Sequence, residues 1–131
     1  MADASYPQDL LYHPEHDWVR IDPADQELAT FGITWYAQDA LGEVVFFDPP
    51  AVGTMVEAGD SYTEVESVKA VSDVVAPMSG EVVEVNEDLG DAPEAINGDP
   101  YGAGWMVKVR LSDVSEKDDL LDSAAYEATL G

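Results

Sequence analysis

"EVESVKAVSDVVAPMSGEVVEV", residues 64–85, sets one lysine in a run of valines and carboxylates. Lys69 is the only Lys or Arg between Arg20 and Lys108. On a single strand, Val65, Ser67, Lys69, Val71 and Asp73 would share one side and Glu66, Val68, Ala70 and Ser72 the other. Neither side is cleanly apolar. A break near Lys69 resolves the pattern, because two strands meeting in a tight turn direct valines inward and leave the tip residue exposed. No Gly or Asn marks this turn, so the local sequence does not name its type.

Outward from this hairpin, short stretches rich in Val, Phe and Tyr alternate with Gly, Pro, Asn and Asp, the pattern of a β sandwich or barrel. Strands are expected at 17–21, 28–33, 43–47, 62–68, 70–75, 80–85 and 105–110. Two helices fit between and after them. "TWYAQDALG" has Thr34 as N-cap candidate, Gly42 as stop, and Tyr36, Ala37, Ala40 and Leu41 on one face, which predicts a short helix near 34–41. After Ser115, "SEKD" reads as a capping box, and Leu120, Leu121, Ala124 and Ala125 form a stripe, which predicts a C-terminal helix near 116–128. Residues 1–8 read as flexible and 86–103 as irregular connection. "VGTMVEAGD" (52–60) and "SGEVVEVNE" (79–87) share a Gly followed by Val-Glu, a weak repeat that suggests two related strand units flanking the hairpin.

A chain of 131 residues is sized for one core, so one domain over 1–131 is expected. With 28 acidic residues against five basic ones, the net charge of −23 would repel phosphate backbones and anionic lipid. Nucleic acid and membrane are therefore poor partners, and the carboxylates read as a solvated surface, such as one adapted to high salt, or as a match for a basic partner. No apolar run is long enough to span a bilayer. The start lacks the basic and apolar regions of a secretory signal, so a cytoplasmic location is expected, or an organellar one if a leader has been removed. The absence of cysteine excludes disulfides, thiolate metal sites and a cysteine nucleophile. His13 and His16 in "HPEH" have no third His or Cys to complete a metal site and read as a surface turn.

Three roles fit Lys69. It is a solubilising or ion-paired surface lysine, with Glu64, Glu66 or Asp73 as partners; or a catalytic amine that forms imines; or an attachment point acylated by another enzyme. Neighbouring carboxylates favour the ammonium form, which disfavours the catalytic amine. Acylation needs only an accessible amine on a rigid protrusion and removes the charge.

"GITWYAQDALGEVVFFDPP" (32–50), "VESVKAVSDVVAPMSGEVVEVN" (65–86) and "NGDPYGAGWMVKV" (97–109) together resemble, in order and spacing, the H protein of the glycine cleavage system. The resemblance runs from "HPEHDWVR" to "AYEATL" and is most specific at "ESVKAVSD" followed by "AP.SGE". It implies a mostly β, lipoyl-domain-like barrel-sandwich hybrid forming a single lipoyl-carrier domain. It also implies that Lys69 carries lipoic acid in amide linkage and that the protein is a non-catalytic carrier. On that arm the aminomethyl group of glycine would pass from the pyridoxal-phosphate subunit, glycine decarboxylase, to the aminomethyltransferase, with reoxidation by dihydrolipoamide dehydrogenase. A lipoate ligase or a lipoyl/octanoyl transferase would attach the group, and transient docking to these partners implies a monomer.

By the same resemblance, Glu66, Ser67 and Asp73 match positions near the modified lysine, where they are read by the modifying enzyme or contact the loaded arm. Solvated carboxylates and a small uncrowded serine would look the same. The segments "HDW" and "YAQDALG" are implied to form a cleft beside the hairpin, with Asp17 a candidate to hydrogen-bond the cationic amine of the loaded arm. Some members carry a histidine where this chain has Ala40, so that imidazole is missing here. Two other readings share the hairpin: a biotinyl-type carrier, which would favour methionines where Val68 and Ala70 stand, and a lipoate-relay protein passing lipoyl groups to other complexes.

Overall fold

Where valines alternate with polar residues, the chain pairs into antiparallel ladders. The computed structural model describes residues 6–130. Its strands are β1 (Leu11–His13), β2 (Asp17–Asp22), β3 (Asp25–Ile33), β4 (Val44–Asp48), β5 (Met55–Val56), β6 (Ser61–Ser67), β7 (Val71–Val75), β8 (Gly80–Val85) and β9 (Val107–Leu111). Six form one sheet in the order β1-β2-β3-β9-β8-β5, and three form a second in the order β4-β6-β7. The expected mostly β barrel-sandwich hybrid is the fold observed. Between the sheets lies a core that includes Phe31, Phe47, Val65, Val74, Met78, Val82, Met106 and Val109. Burying side chains of this size is worth about 1.5–3 kcal/mol each and is the main reason the two sheets close on one another.

A second, aromatic cluster of Leu10, Tyr12, Trp18 and Tyr126 holds the outer surface of the first sheet. Trp18 fits only because Gly32 faces it: a Cβ there would lie 2.6 Å from the indole ring. The indole Nε1 donates to the Pro100 carbonyl at 3.0 Å.

The seven expected strands are present, and β1 and β5 are additional. Those two have three and two residues, too short for periodicity to show; β1 is fixed by its pairing with β2 and β5 by its pairing with β8. The repeat copies do meet, as Met55 opposes Glu81 and Val56 opposes Gly80. The matched valines are not equivalent, however, since Val56 is buried and Val83 is exposed.

The first helix, α1 (Trp35–Leu41), begins and ends as expected, with Thr34 Oγ1 accepting from Ala37 N and Gly42 closing it at φ +87°. The 86–103 segment holds more structure than expected: a 3₁₀ turn at Glu87–Gly90 and the short helix α2 (Ala95–Gly98). The C-terminal helix is broken. A 3₁₀ segment, Val114–Asp119, is capped by the Asp113 side chain rather than by Ser115, and Glu116 bonds Ser79 instead of closing a capping box. Leu121 then pairs with Tyr12 through two 2.8 Å backbone hydrogen bonds, which pulls Leu120 extended, and α3 (Ser123–Thr129) restarts from Asp122. A tertiary β bridge outweighs local helix propensity here. Of the expected flexible start, residues 1–5 lie outside the described ones. Tyr6 is packed edge-on to Tyr126 at 5.4 Å, and the Pro7 carbonyl accepts from Tyr12 Oη.

Candidate functional site

Strands β6 and β7 pair from Ser61↔Val75 to Glu66↔Val71 and leave Val68, Lys69 and Ala70 as an exposed tip. Ser67 makes the turn possible without Gly or Asn. Its hydroxyl accepts from the Lys69 and Ala70 backbone N–H groups at 3.2 and 3.1 Å, while Ser67 N donates to Ala70 O at 2.7 Å. This side-chain closure substitutes for a positive-φ turn residue, and no residue of the tip has positive φ. Ser67, expected as a small neighbour of the arm, is therefore buried beneath the tip as its scaffold. The tip is also tied to the α1–β4 connection, since Val68 N donates to Glu43 O at 3.1 Å. Among the described residues no ion pair involves Lys69.

Beside the hairpin lies a cleft of about 340 Å³. Tyr36, Ala37, Ala40 and Leu41, the single apolar face read from α1, form one wall; Ala70 to Val74 form the opposite one; Glu15, His16 and Asp17 close it. Asp73 lines the cleft from the hairpin side.

Asp17 is the unusual group. It is 2% exposed, and among the described residues its Oδ2 has no hydrogen-bond partner. Burial pushes its carboxyl well above the ordinary aspartate range, Glu15 acts in the same direction, and the Val75 backbone N–H opposes them. Asp17 in turn adds to the burial that raises the Tyr62 hydroxyl. A buried carboxylate without a partner is costly, and a cation entering the cleft would supply one.

The segment from His13 to His16 forms the expected turn, with Pro14 and Glu15 exposed and both imidazoles half-buried. His13 Nδ1 accepts from Glu15 N at 3.0 Å, which uses that ring locally. His16 adopts φ +76°, packs on Tyr36 with ring centroids 4.5 Å apart, and lines the cleft. Its Nδ1 lies 2.7 Å from Tyr126 Oη, which lies 2.8 Å from Thr34 Oγ1. That chain joins the cleft floor, the α1 cap and α3. Burial depresses the His16 imidazole below its ordinary value, with Glu15 opposing, while burial pushes Tyr126 up to about 12, so both groups are neutral near pH 7.

Glu66 does not line the cleft. It pairs with Phe46 and Val71 on the exposed face of the β4-β6-β7 sheet, where Phe46, Asp48, Glu64 and Glu66 line a shallow groove. The structure thus brings Asp17 and Asp73 together at the cleft and separates Glu66 from them. The segments implied to form the cleft contain His16 and Gly42, but the sequence assigns neither a role of its own there. Gly42 was legible only as a helix stop, yet a Cβ at Gly42 would lie 3.2 Å from Lys69 Cε, so the lysine stem rests on its bare face.

Residues 10–131 match the family model described as glycine cleavage H-protein. The chain is 54% identical over 121 residues to the glycine cleavage system H protein of Halorhodospira halophila, covering 92% of each. To that of Escherichia coli O7:K1 it is 51% identical over 127 residues, covering 97% of each. Among solved structures it is similar to the crystal structure of a glycine cleavage system H protein from Mycobacterium marinum. The TM-score is 0.85 at 44% identity, over 95% of this chain and 98% of that one.

Proposed function

Because the chain belongs to the glycine cleavage H-protein family, we propose that it is the lipoyl carrier of the glycine cleavage system and that Lys69 is the residue modified. The observation that carries this reading is the position of Lys69: exposed on a tip held by hydrogen bonds, in no ion pair among the described residues, beside a cleft that holds a buried, half-unpartnered carboxylate. These residues fit a long acyl arm that projects outward and folds back. Held in amide linkage by Lys69, lipoic acid would supply a dithiolane as the carrier group for the aminomethyl unit of glycine, with glycine decarboxylase, the aminomethyltransferase and dihydrolipoamide dehydrogenase as the partner enzymes.

The chain's own residues present, shelter and release. Ser67 and the Glu43 carbonyl hold the tip so that Lys69 meets an incoming active site in one orientation. The apolar wall from Tyr36 to Leu41 excludes water from whatever lies in the cleft. Asp17 and Asp73 line the approach of an ammonium group, and such a cation would favour the charged form of Asp17 that burial disfavours. With Ala40 in the wall, no imidazole contributes from that position. Glu66, on the outer face, faces the enzyme that attaches the arm, a lipoate ligase or a lipoyl/octanoyl transferase. The protein works as a single-domain monomer in the cytoplasm, docks transiently on its partners and catalyses nothing alone. No helix among the described residues is long and apolar enough to cross a membrane.

Intact mass spectrometry after coexpression with a lipoate ligase tests the assignment. A single lipoyl addition is expected, and Lys69→Ala abolishes it; an addition that survives the substitution overturns the site. Reconstitution with the three partner enzymes tests the carrier role, which is lost if no glycine-dependent exchange of carbon dioxide develops.

A further inference from the structure

Asn97 lies 28 residues from the lysine in sequence, in the short helix α2, where the sequence shows only an Asn-Gly turn. Its neighbour Ile96 is fully buried, so the helix is anchored in the core. The Asn97 amide makes three hydrogen bonds. Oδ1 accepts from Val44 N at 2.8 Å, and Nδ2 donates to Gly42 O and to Gln38 Oε1, both at 2.9 Å. A backbone N–H can only donate and a backbone carbonyl can only accept, so the chemistry of the partners fixes which way this amide points. Gln38 completes the set from α1 by donating to Trp35 O at 3.0 Å.

These bonds pin both ends of the stretch Gly42–Val44 that leads from α1 into the first residue of β4. The middle residue, Glu43, accepts from Val68 N through its carbonyl at 3.1 Å. Gly42, at φ +87°, is the surface on which the Lys69 stem lies, with a Cβ there 3.2 Å from Cε and 3.7 Å from Nζ. Gly42 directly follows Ala40 and Leu41 of the cleft wall. We infer that Asn97 is a positioning residue for Lys69: it holds the Gly42–Val44 link so that the hairpin tip stays registered and the lysine stem rests beside the cleft.

The inference rests on Lys69 as the modified residue. Without the Asn97 side chain, Gly42 O, Val44 N–H and Gln38 Oε1 lose their shared partner, and the link is free to move away from the hairpin. The tip then spends part of its time in orientations an attaching enzyme cannot use, which raises the apparent KM by the inverse of the competent fraction and leaves kcat nearly unchanged. A residue that merely supports the fold would lower the amount of active protein without moving KM.

The test is hydrogen exchange and lipoate-ligase kinetics on the full unmodified chain, wild type and Asn97→Ala. In the variant, the Val44 and Val68 amides are expected to exchange about tenfold faster while Val109, in the far sheet, keeps its rate. The KM for the protein substrate rises about threefold or more at similar kcat. Asn97→Asp retains the acceptor facing Val44 N–H and loses both donors; it is expected to fall between, and it carries the test if Asn97→Ala does not fold. Unchanged Val68 exchange, or a KM equal to wild type, overturns the inference. If the wild-type chain takes up no lipoyl group, the reading of Lys69 fails instead, and the exchange rates still decide whether Asn97 holds the tip.

Discussion

The two faces of the β6–β7 hairpin meet different surroundings. Inward, Val65 and Val74 are buried in the core, and beside them the hairpin forms one wall of a cleft floored by Asp17. Outward, Glu64 and Glu66 face solvent with Phe46 at 52% and Val71 at 60% exposure. Charge is handled oppositely on the two sides. Outer carboxylates keep their hydration and are free to meet a protein partner, whereas the inner one has lost its water and has an oxygen without a partner. Solvent leaves the outer groups hydrated, whereas burial without a partner disfavours the charged form of Asp17.

The contrast breaks first at the core. Val65→Ala is expected to lower stability by about 2–3 kcal/mol in urea unfolding. Val71→Ala, one strand away and exposed, should change it by less than about 0.5 kcal/mol. Equal losses would mean the two faces are not distinct.

Asp17→Asn sharpens the comparison with the opposite sign. Because burial raises the folded-state value above the ordinary one, the folded chain holds this proton at pH values where the unfolded chain has released it. The stability this group contributes is therefore complete below the ordinary aspartate value and is lost as pH rises through the raised one. The asparagine variant avoids that loss and should be about 1–2 kcal/mol more stable than wild type at neutral pH, the gap closing in acid. Thermal unfolding across pH measures it. The same variant should hold an ammonium ligand in the cleft less well, a trade of stability against function.

Smaller effects belong to the turn and the rim. Ser67→Ala leaves the Lys69 and Ala70 amides without their acceptor and should cost about 1 kcal/mol, with faster exchange confined to the tip. Glu66→Gln should leave the unfolding midpoint where it is and raise the KM for lipoyl attachment, as followed by mass spectrometry. Asp73→Asn should do the reverse, leaving attachment intact while weakening retention in the cleft.

Much of this architecture was readable because it follows local patterns. Alternation between 62 and 75 marked a hairpin, and the α1 face of Tyr36, Ala37, Ala40 and Leu41 marked a surface that packs against something, which proves to be the cleft. What escaped notice has no local signature. The β1 and β5 strands exist because β2 and β8 supply their hydrogen bonds. The C-terminal helix breaks because Leu121 finds Tyr12 across more than a hundred residues. Ser67 looked like a bystander because its role depends on turn geometry that a list of residue types does not contain.

The sequence by itself determined seven of the nine strands among the described residues, the hairpin, its lone amine and the family, since these rest on periodicity and motif order along the chain. Only the tertiary structure decided that Asp17 is dry and half-unpartnered, that Asp73 lines the cleft while Glu66 does not, and that Asn97 reaches back to the link beneath Lys69. Burial and hydrogen-bond partnership belong to pairs of residues distant in sequence, and they acquire values only when the sheets close.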